Sequence, residues 1–149
     1  MRQHRISNWL KGLTINIGIL GLFVFGALLL YELYTQKYLY VAFTIFTSVI
    51  CYYILFQFWK VCFEIGNDNS FSMENASSFH KMAIGSGSLS VCCFIKLLCH
   101  SFMGDLIIYS GILFLFEIVG GLILVVLCEA LSKLIANAYE MKMENDLTI

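Results

Sequence analysis

Leu13-Thr14-Ile15-Asn16-Ile17-Gly18-Ile19-Leu20-Gly21-Leu22-Phe23-Val24-Phe25-Gly26-Ala27-Leu28-Leu29-Leu30-Tyr31 runs for nineteen residues without a charge. A bilayer core about 30 Å thick needs roughly 20 helical residues to cross it, so this run is long enough to span. Tyr38–Trp59 is a second such run, also free of charge. Met82–Met103 is a third and holds one charge, Lys96; Leu106–Cys128 is the fourth and holds one, Glu117. Four runs with short links between the first and second and between the third and fourth predict antiparallel neighbours. The expected fold is all-α: an integral membrane four-helix bundle of up-down topology.

Composition agrees. The 149 residues are 60% hydrophobic and 13% charged, with a mean hydropathy of +0.83; a soluble domain would carry about 25% charge. The net charge of −1 argues against direct nucleic-acid binding, which wants a basic surface. Arg2, Arg5 and Lys11 precede the first run in the manner of a signal peptide. The run is longer than the roughly 7–15 residues of a signal core, and Tyr31-Glu32-Leu33-Tyr34 offers no small-x-small cleavage site. It reads as a retained helix. The six cysteines lie in or near the apolar runs with no CxxC pair, which reads as packing.

Lys and Arg set the threading. Residues 1–12 carry Arg2, Arg5 and Lys11, residues 60–81 carry Lys60 and Lys81, and residues 129–149 carry Lys133 and Lys142. The link 32–37 carries only Lys37, and the link 104–105 carries none. The expectation is N-in and C-in, with cytoplasmic segments 1–12, 60–81 and 129–149 and spans at 13–31, 38–59, 82–103 and 106–128. Tyr31, Tyr34, Tyr38 and Tyr40 then fall at the outer boundary and Trp9 and Trp59 at the inner one, where amphipathic rings are favoured. In lipid, small residues mark helix contacts. Ala83, Gly87, Ser86 and Ser90 predict a central role for the third helix, and Gly18, Gly21, Gly111, Gly120 and Gly121 offer close approach elsewhere. In the second loop a helix start is expected at Ser72, whose side chain can cap the exposed N–H groups. Glu74 then sits in the first turn, where the dipole favours a negative charge. In the tail, Leu131, Leu134, Ile135, Ala138, Tyr139 and Met143 form a helical stripe.

Lys96 and Glu117 are the sharpest chemical signals, because a charge near the bilayer centre costs at least about 2.5–3.5 kcal/mol. Lys96 lies roughly 9 Å from the outer end of its run and Glu117 roughly 16 Å from the outer end of the next. Side chains lean toward their helix N-terminus, which tilts the two toward each other, so a Lys96–Glu117 pair bracing the third and fourth helices is expected. Two other readings stand beside it: Lys96 snorkels outward while Glu117 is protonated, or the two serve a proton or ion relay. No proline breaks a helix, as transporters often require. His80 and His100 fall near opposite membrane faces, and no catalytic motif is present. No enzyme, cofactor or metal site is expected.

Phe71-Ser72-Met73-Glu74-Asn75, followed by Phe79 and Lys81-Met82-Ala83, resembles the F-S-x-E-N signature of a bacterial membrane family catalogued as domain of unknown function 2975. The ending Glu144-Asn145-Asp146-Leu147-Thr148-Ile149 resembles that family's acidic D-L-T-I terminus; Ser70 stands where many members would have a proline. The resemblance implies a four-span membrane protein of the bacterial cytoplasmic membrane with no established enzymatic activity, whose gene often neighbours a small helix-turn-helix regulator. Phe71, Ser72, Glu74, Asn75 and Asp146, Leu147, Thr148, Ile149 then become candidate docking residues for such a cytosolic partner. A capped helix entry and a frayed terminus are the plain alternatives. The other functional class is a small transport or immunity-type protein using Lys96 and Glu117. The lipid bilayer is the expected partner, and the glycine faces would permit a homo-oligomer.

Overall fold

A computed structural model describes residues 2–67, 69–103 and 108–147, with side chains described for 4–67, 69–103 and 111–145. The chain forms α1 (Arg2–Tyr34), α2 (Tyr38–Gly66), α3 (Met73–Phe102) and α4 (Ile108–Leu147). All four are long and apolar enough to cross a membrane, and each outruns the apolar stretch within it. The outer turn expected at 104–105 lies outside the described residues.

Contacts between distant residues fix the directions. Ser7 in α1 donates to the Cys62 carbonyl of α2 at 2.7 Å, while Tyr52 of α2 donates to the Gly18 carbonyl at 2.8 Å. Ser132 of α4 donates to the Ala76 carbonyl of α3 at 2.7 Å. Neighbouring helices are therefore antiparallel. The α1–α2 and α3–α4 turns share one end, here the hairpin end. The α2–α3 loop shares the other with Arg2 and Leu147, here the terminal end. Packing follows chain order: α1 lies on α2, α2 on α3 and α3 on α4, and among the described residues α1 and α4 do not meet. The bundle is open along that side.

The inside of this bundle is small and polar rather than large and greasy. Met82 and Ala83 of α3 pack with Cys128 of α4, against Ile54 and Phe58 of α2. Ser86, Ser90, Thr44 and Gln57 are buried too. Leu20, Phe23, Leu30 and Phe116 are instead at least 65% exposed, the inside-out pattern of a chain that lipid covers. Two glycines set the tightest approaches. A Cβ on Gly85 would press on Ile54 Cγ1 at 2.9 Å, and one on Gly121 would collide with the Ser90 hydroxyl. Gly120, its neighbour, would meet nothing within 4 Å. With a partner on each side and the larger share of buried residues, α3 is the spine of the fold.

Local chemistry explains the helix ends. Between α1 and α2 the chain reverses through Gln36, at φ 55° in the left-handed region, and Lys37 N–H donates to the Glu32 carbonyl at 3.0 Å. Ser72 is extended (φ −122°, ψ 153°) and its Oγ accepts from Asn75 N–H at 3.2 Å, satisfying one of the four donors a helix start leaves open.

Candidate functional site

Of the charged side chains within or at the edge of the apolar stretches, Glu32 and Lys96 meet. Glu32 closes the last turns of α1. Its side chain leans toward the helix N-terminus, back from the boundary into the span, where Oε1 accepts from the Thr44 hydroxyl of α2 at 2.8 Å. Lys96 of α3 brings Nζ to 3.6 Å from the same Oε1 and 3.5 Å from the Thr44 hydroxyl. The two charged side chains are only 10% and 17% exposed, and Thr44 is 1% exposed. Aromatic rings close the cluster toward α4. The Lys96 ammonium lies 5.9 Å from the Phe114 ring centre, and Phe114 contacts His100, which stacks on Tyr40 with centroids 4.2 Å apart. All four helices contribute. The second carboxylate oxygen, Glu32 Oε2, is buried and has no hydrogen-bond partner among the described residues.

The expected Lys96–Glu117 brace is therefore not the pair that forms. The reason is depth. Glu117 sits about 16 Å into its span, whereas Glu32 enters from the boundary, so Lys96 can pair while keeping its ammonium toward the polar interface. Glu117 stays on α4, more than a third exposed, and its Oε2 accepts from the Cys93 thiol at 3.5 Å. Sequence reasoning missed Glu32 because it was placed in the 32–37 link. A signal was present: Glu32 is the only acid before Glu64, and it falls one residue past an apolar run.

At the terminal end the signature segment divides in two. Ser72 and Asn75 are buried, at 7% and 1% exposure. Ser72 caps α3, and the Asn75 side-chain amide donates to the carbonyls of Asn69 and Ser70 at 3.3 and 3.0 Å, tying the loop to the helix it enters. Phe71 and Met73 face outward, 59% and 49% exposed, and Glu74 is exposed with them. Met73 and Glu74 line an open groove of 720 Å³ with Trp59, Lys60, Glu64 and Lys81. Beside it, His80 Nδ1 lies 2.8 Å from Glu129 Oε2. The hydrogen bond from His80 holds the Glu129 carboxyl below the usual carboxylate range, with Lys133 at 3.8 Å adding to the effect. Asp146 and Leu147 end α4; their side chains, and all of Thr148 and Ile149, lie outside the described residues. The six cysteines are free.

Four apolar helices, a small polar interior and charges drawn inward at the hairpin end define the class: an all-α chain with the length and composition of a multi-pass membrane protein. It belongs to the family described as protein of unknown function (DUF2975), whose model matches residues 22–149. No curated protein and no solved structure matches the chain.

Proposed function

We propose that this is a non-catalytic, membrane-anchored interaction protein of the bacterial cytoplasmic membrane, with its terminal end in the cytoplasm. It docks a soluble regulator there, of the helix-turn-helix kind that the family resemblance implies. The observation that carries this is the division of the signature segment. Ser72 and Asn75 are spent on the fold, while Phe71, Met73 and Glu74 stand exposed on one rim. A large apolar side chain beside an exposed carboxylate, held by a capped helix, is the kind of surface on which recognition residues are presented. The threading rests on the concentration of Lys and Arg at that end.

The test is a photo-crosslinking amino acid at Phe71 in living cells, compared with one at Phe23 on the lipid side. The reading predicts an adduct with a soluble helix-turn-helix protein at Phe71, lost on Glu74→Lys. Adducts with lipid alone at both sites contradict it. Threading is checked separately: Phe71→Cys should react with a membrane-impermeant maleimide in inside-out vesicles and not in right-side-out ones.

A second reading, transport, draws on Glu32 Oε2, buried with no hydrogen-bond partner among the described residues, and on Glu117 deeper in the span. An intramembrane carboxylate can load and release a proton. Proteoliposomes whose proton flux falls in Glu32→Gln and Glu117→Gln would favour it over docking.

A further inference from the structure

Glu117 is an anomaly in a single copy of the chain. It sits near mid-membrane, more than a third exposed, with a thiol 3.5 Å away as its one hydrogen-bond partner among the described residues. Lipid cannot satisfy the remaining oxygen. The residues in register with it on α4 point to what can. Leu113, Gly120, Leu127, Leu134 and Met141 alternate with Glu117, Leu124, Leu131 and Ala138 at spacings of four and three. That is a heptad repeat sustained for four heptads, the spacing of a two-helix seam. Apart from the Glu117 contact with Cys93, the seam lies off the α3 face: α4 packs on α3 alone among the described residues, through residues that include Gly121, Val125, Cys128 and Ser132. Leu113, Leu124, Leu127, Leu134 and Met141 are 47–64% exposed. Next to Glu117, Gly120 leaves open space where a Cβ would be, which lets another backbone approach.

A second stripe on α4 separates a seam from a lipid-facing side. Val119 and Val126 are also exposed, but their stripe continues as Ala130, Lys133, Asn137 and Glu140. It turns polar past the apolar run, as a surface that leaves lipid for water should. The Glu117 stripe does not turn. It continues as Leu131, Leu134, Ala138 and Met141, about 13 Å past Ser132, before Asn145 ends it. An apolar stripe that stays apolar on both sides of the membrane boundary wants a protein partner in both places.

We propose that this partner is a second copy of the chain, paired in parallel along α4. A two-fold axis along the membrane normal sets each heptad residue against itself. It closes Gly120 on Gly120 and joins the leucines outside the membrane. It also brings the two Glu117 carboxyls together, so that one, protonated, donates to the other. A partner covering both halves of the seam must itself cross the membrane with matching register, which the chain's own α4 does. The proposal stands independently of the docked regulator.

Single cysteines along the extension of α4, in the full chain in lipid vesicles, test it under mild oxidation, with the chain lacking an added cysteine as baseline. Disulfide-linked dimers at Leu131→Cys, Leu134→Cys and Met141→Cys should exceed those at Lys133→Cys and Glu140→Cys at least tenfold. Energy transfer between labelled copies gives a second readout. Gly120→Ile and Glu117→Leu should each raise the dissociation constant about tenfold, roughly 1.4 kcal/mol, while Glu117→Gln, which keeps a side-chain hydrogen bond, should retain the dimer. Equal crosslinking at the seam and at Lys133 and Glu140 overturns the proposal, as does absence of energy transfer at every protein-to-lipid ratio. A dimer untouched by both Gly120→Ile and Glu117→Leu overturns it too.

Discussion

Glu32 and Glu117 are both carboxylates at apolar stretches of helix, and they meet opposite fates. Glu32 is enclosed: one hydroxyl, one ammonium and two neighbouring helices surround its Oε1. Glu117 is open, touched by a thiol and turned partly outward. The same contrast recurs in miniature at the terminal end, where Asn75 is buried and bonded to two loop carbonyls and Phe71 and Glu74 are exposed. Enclosed polar groups in this chain hold helices in register, so their loss should appear as lost stability. Open ones contribute little to the fold of one copy, so their loss should appear in association. This difference suggests how to sort the polar residues of a small membrane bundle by what surrounds them rather than by their charge.

The largest effect should come from breaking the enclosed pair. Glu32→Gln leaves the Lys96 ammonium without its counter-charge, and removing one partner of a buried pair costs about 3–5 kcal/mol. Unfolding in mixed micelles should show a loss of that order. A loss under about 1 kcal/mol would mean that water reaches the pair and that the enclosure is nominal. Asn75→Ala should come next, at about 1 kcal/mol, because two part-buried loop carbonyls lose their donor; proteolysis within residues 67–72 should accelerate with it. On the open side, Glu117→Leu should leave the stability of the monomer within about 0.5 kcal/mol of wild type or raise it. A large loss there would erase the contrast.

The smallest effect concerns Glu129, whose carboxyl is held below the ordinary range by His80. A carboxylate with a lowered folded pKa contributes stability above the unfolded value, and loses it as pH falls through the folded one. The melting midpoint of His80→Ala should therefore lie slightly under wild type above about pH 4.3. The two should converge in more acidic solution; a gap that widens there would contradict the assigned cause.

The four long apolar helices were legible in the sequence because chain length and hydropathy act locally, and the apolar run Leu13–Tyr31 can be read without its neighbours. Ser72 as a helix cap was legible for the same reason: a cap bonds within its own turn. The partner of Lys96 was not. Choosing between Glu32 and Glu117 needs the relative depth and rotation of three helices, which no spacing within one helix supplies. Nor could the split of Phe71–Asn75 into buried and exposed members be read, since it depends on where the loop 67–72 folds back. The tail stripe was seen as a single face. In the structure it divides, with Leu131 and Leu134 exposed while Ile135, Ala138 and Tyr139 are partly covered.

The most direct test of the enclosed-and-open account is a pair of double-mutant cycles on unfolding free energy, one joining Lys96→Met to Glu32→Gln and the other joining Lys96→Met to Glu117→Gln. The account predicts a coupling of about 1–3 kcal/mol for the first and under about 0.5 kcal/mol for the second, as expected of groups in contact and groups that share no partner. A strong coupling between Lys96 and Glu117, with little between Lys96 and Glu32, would contradict it.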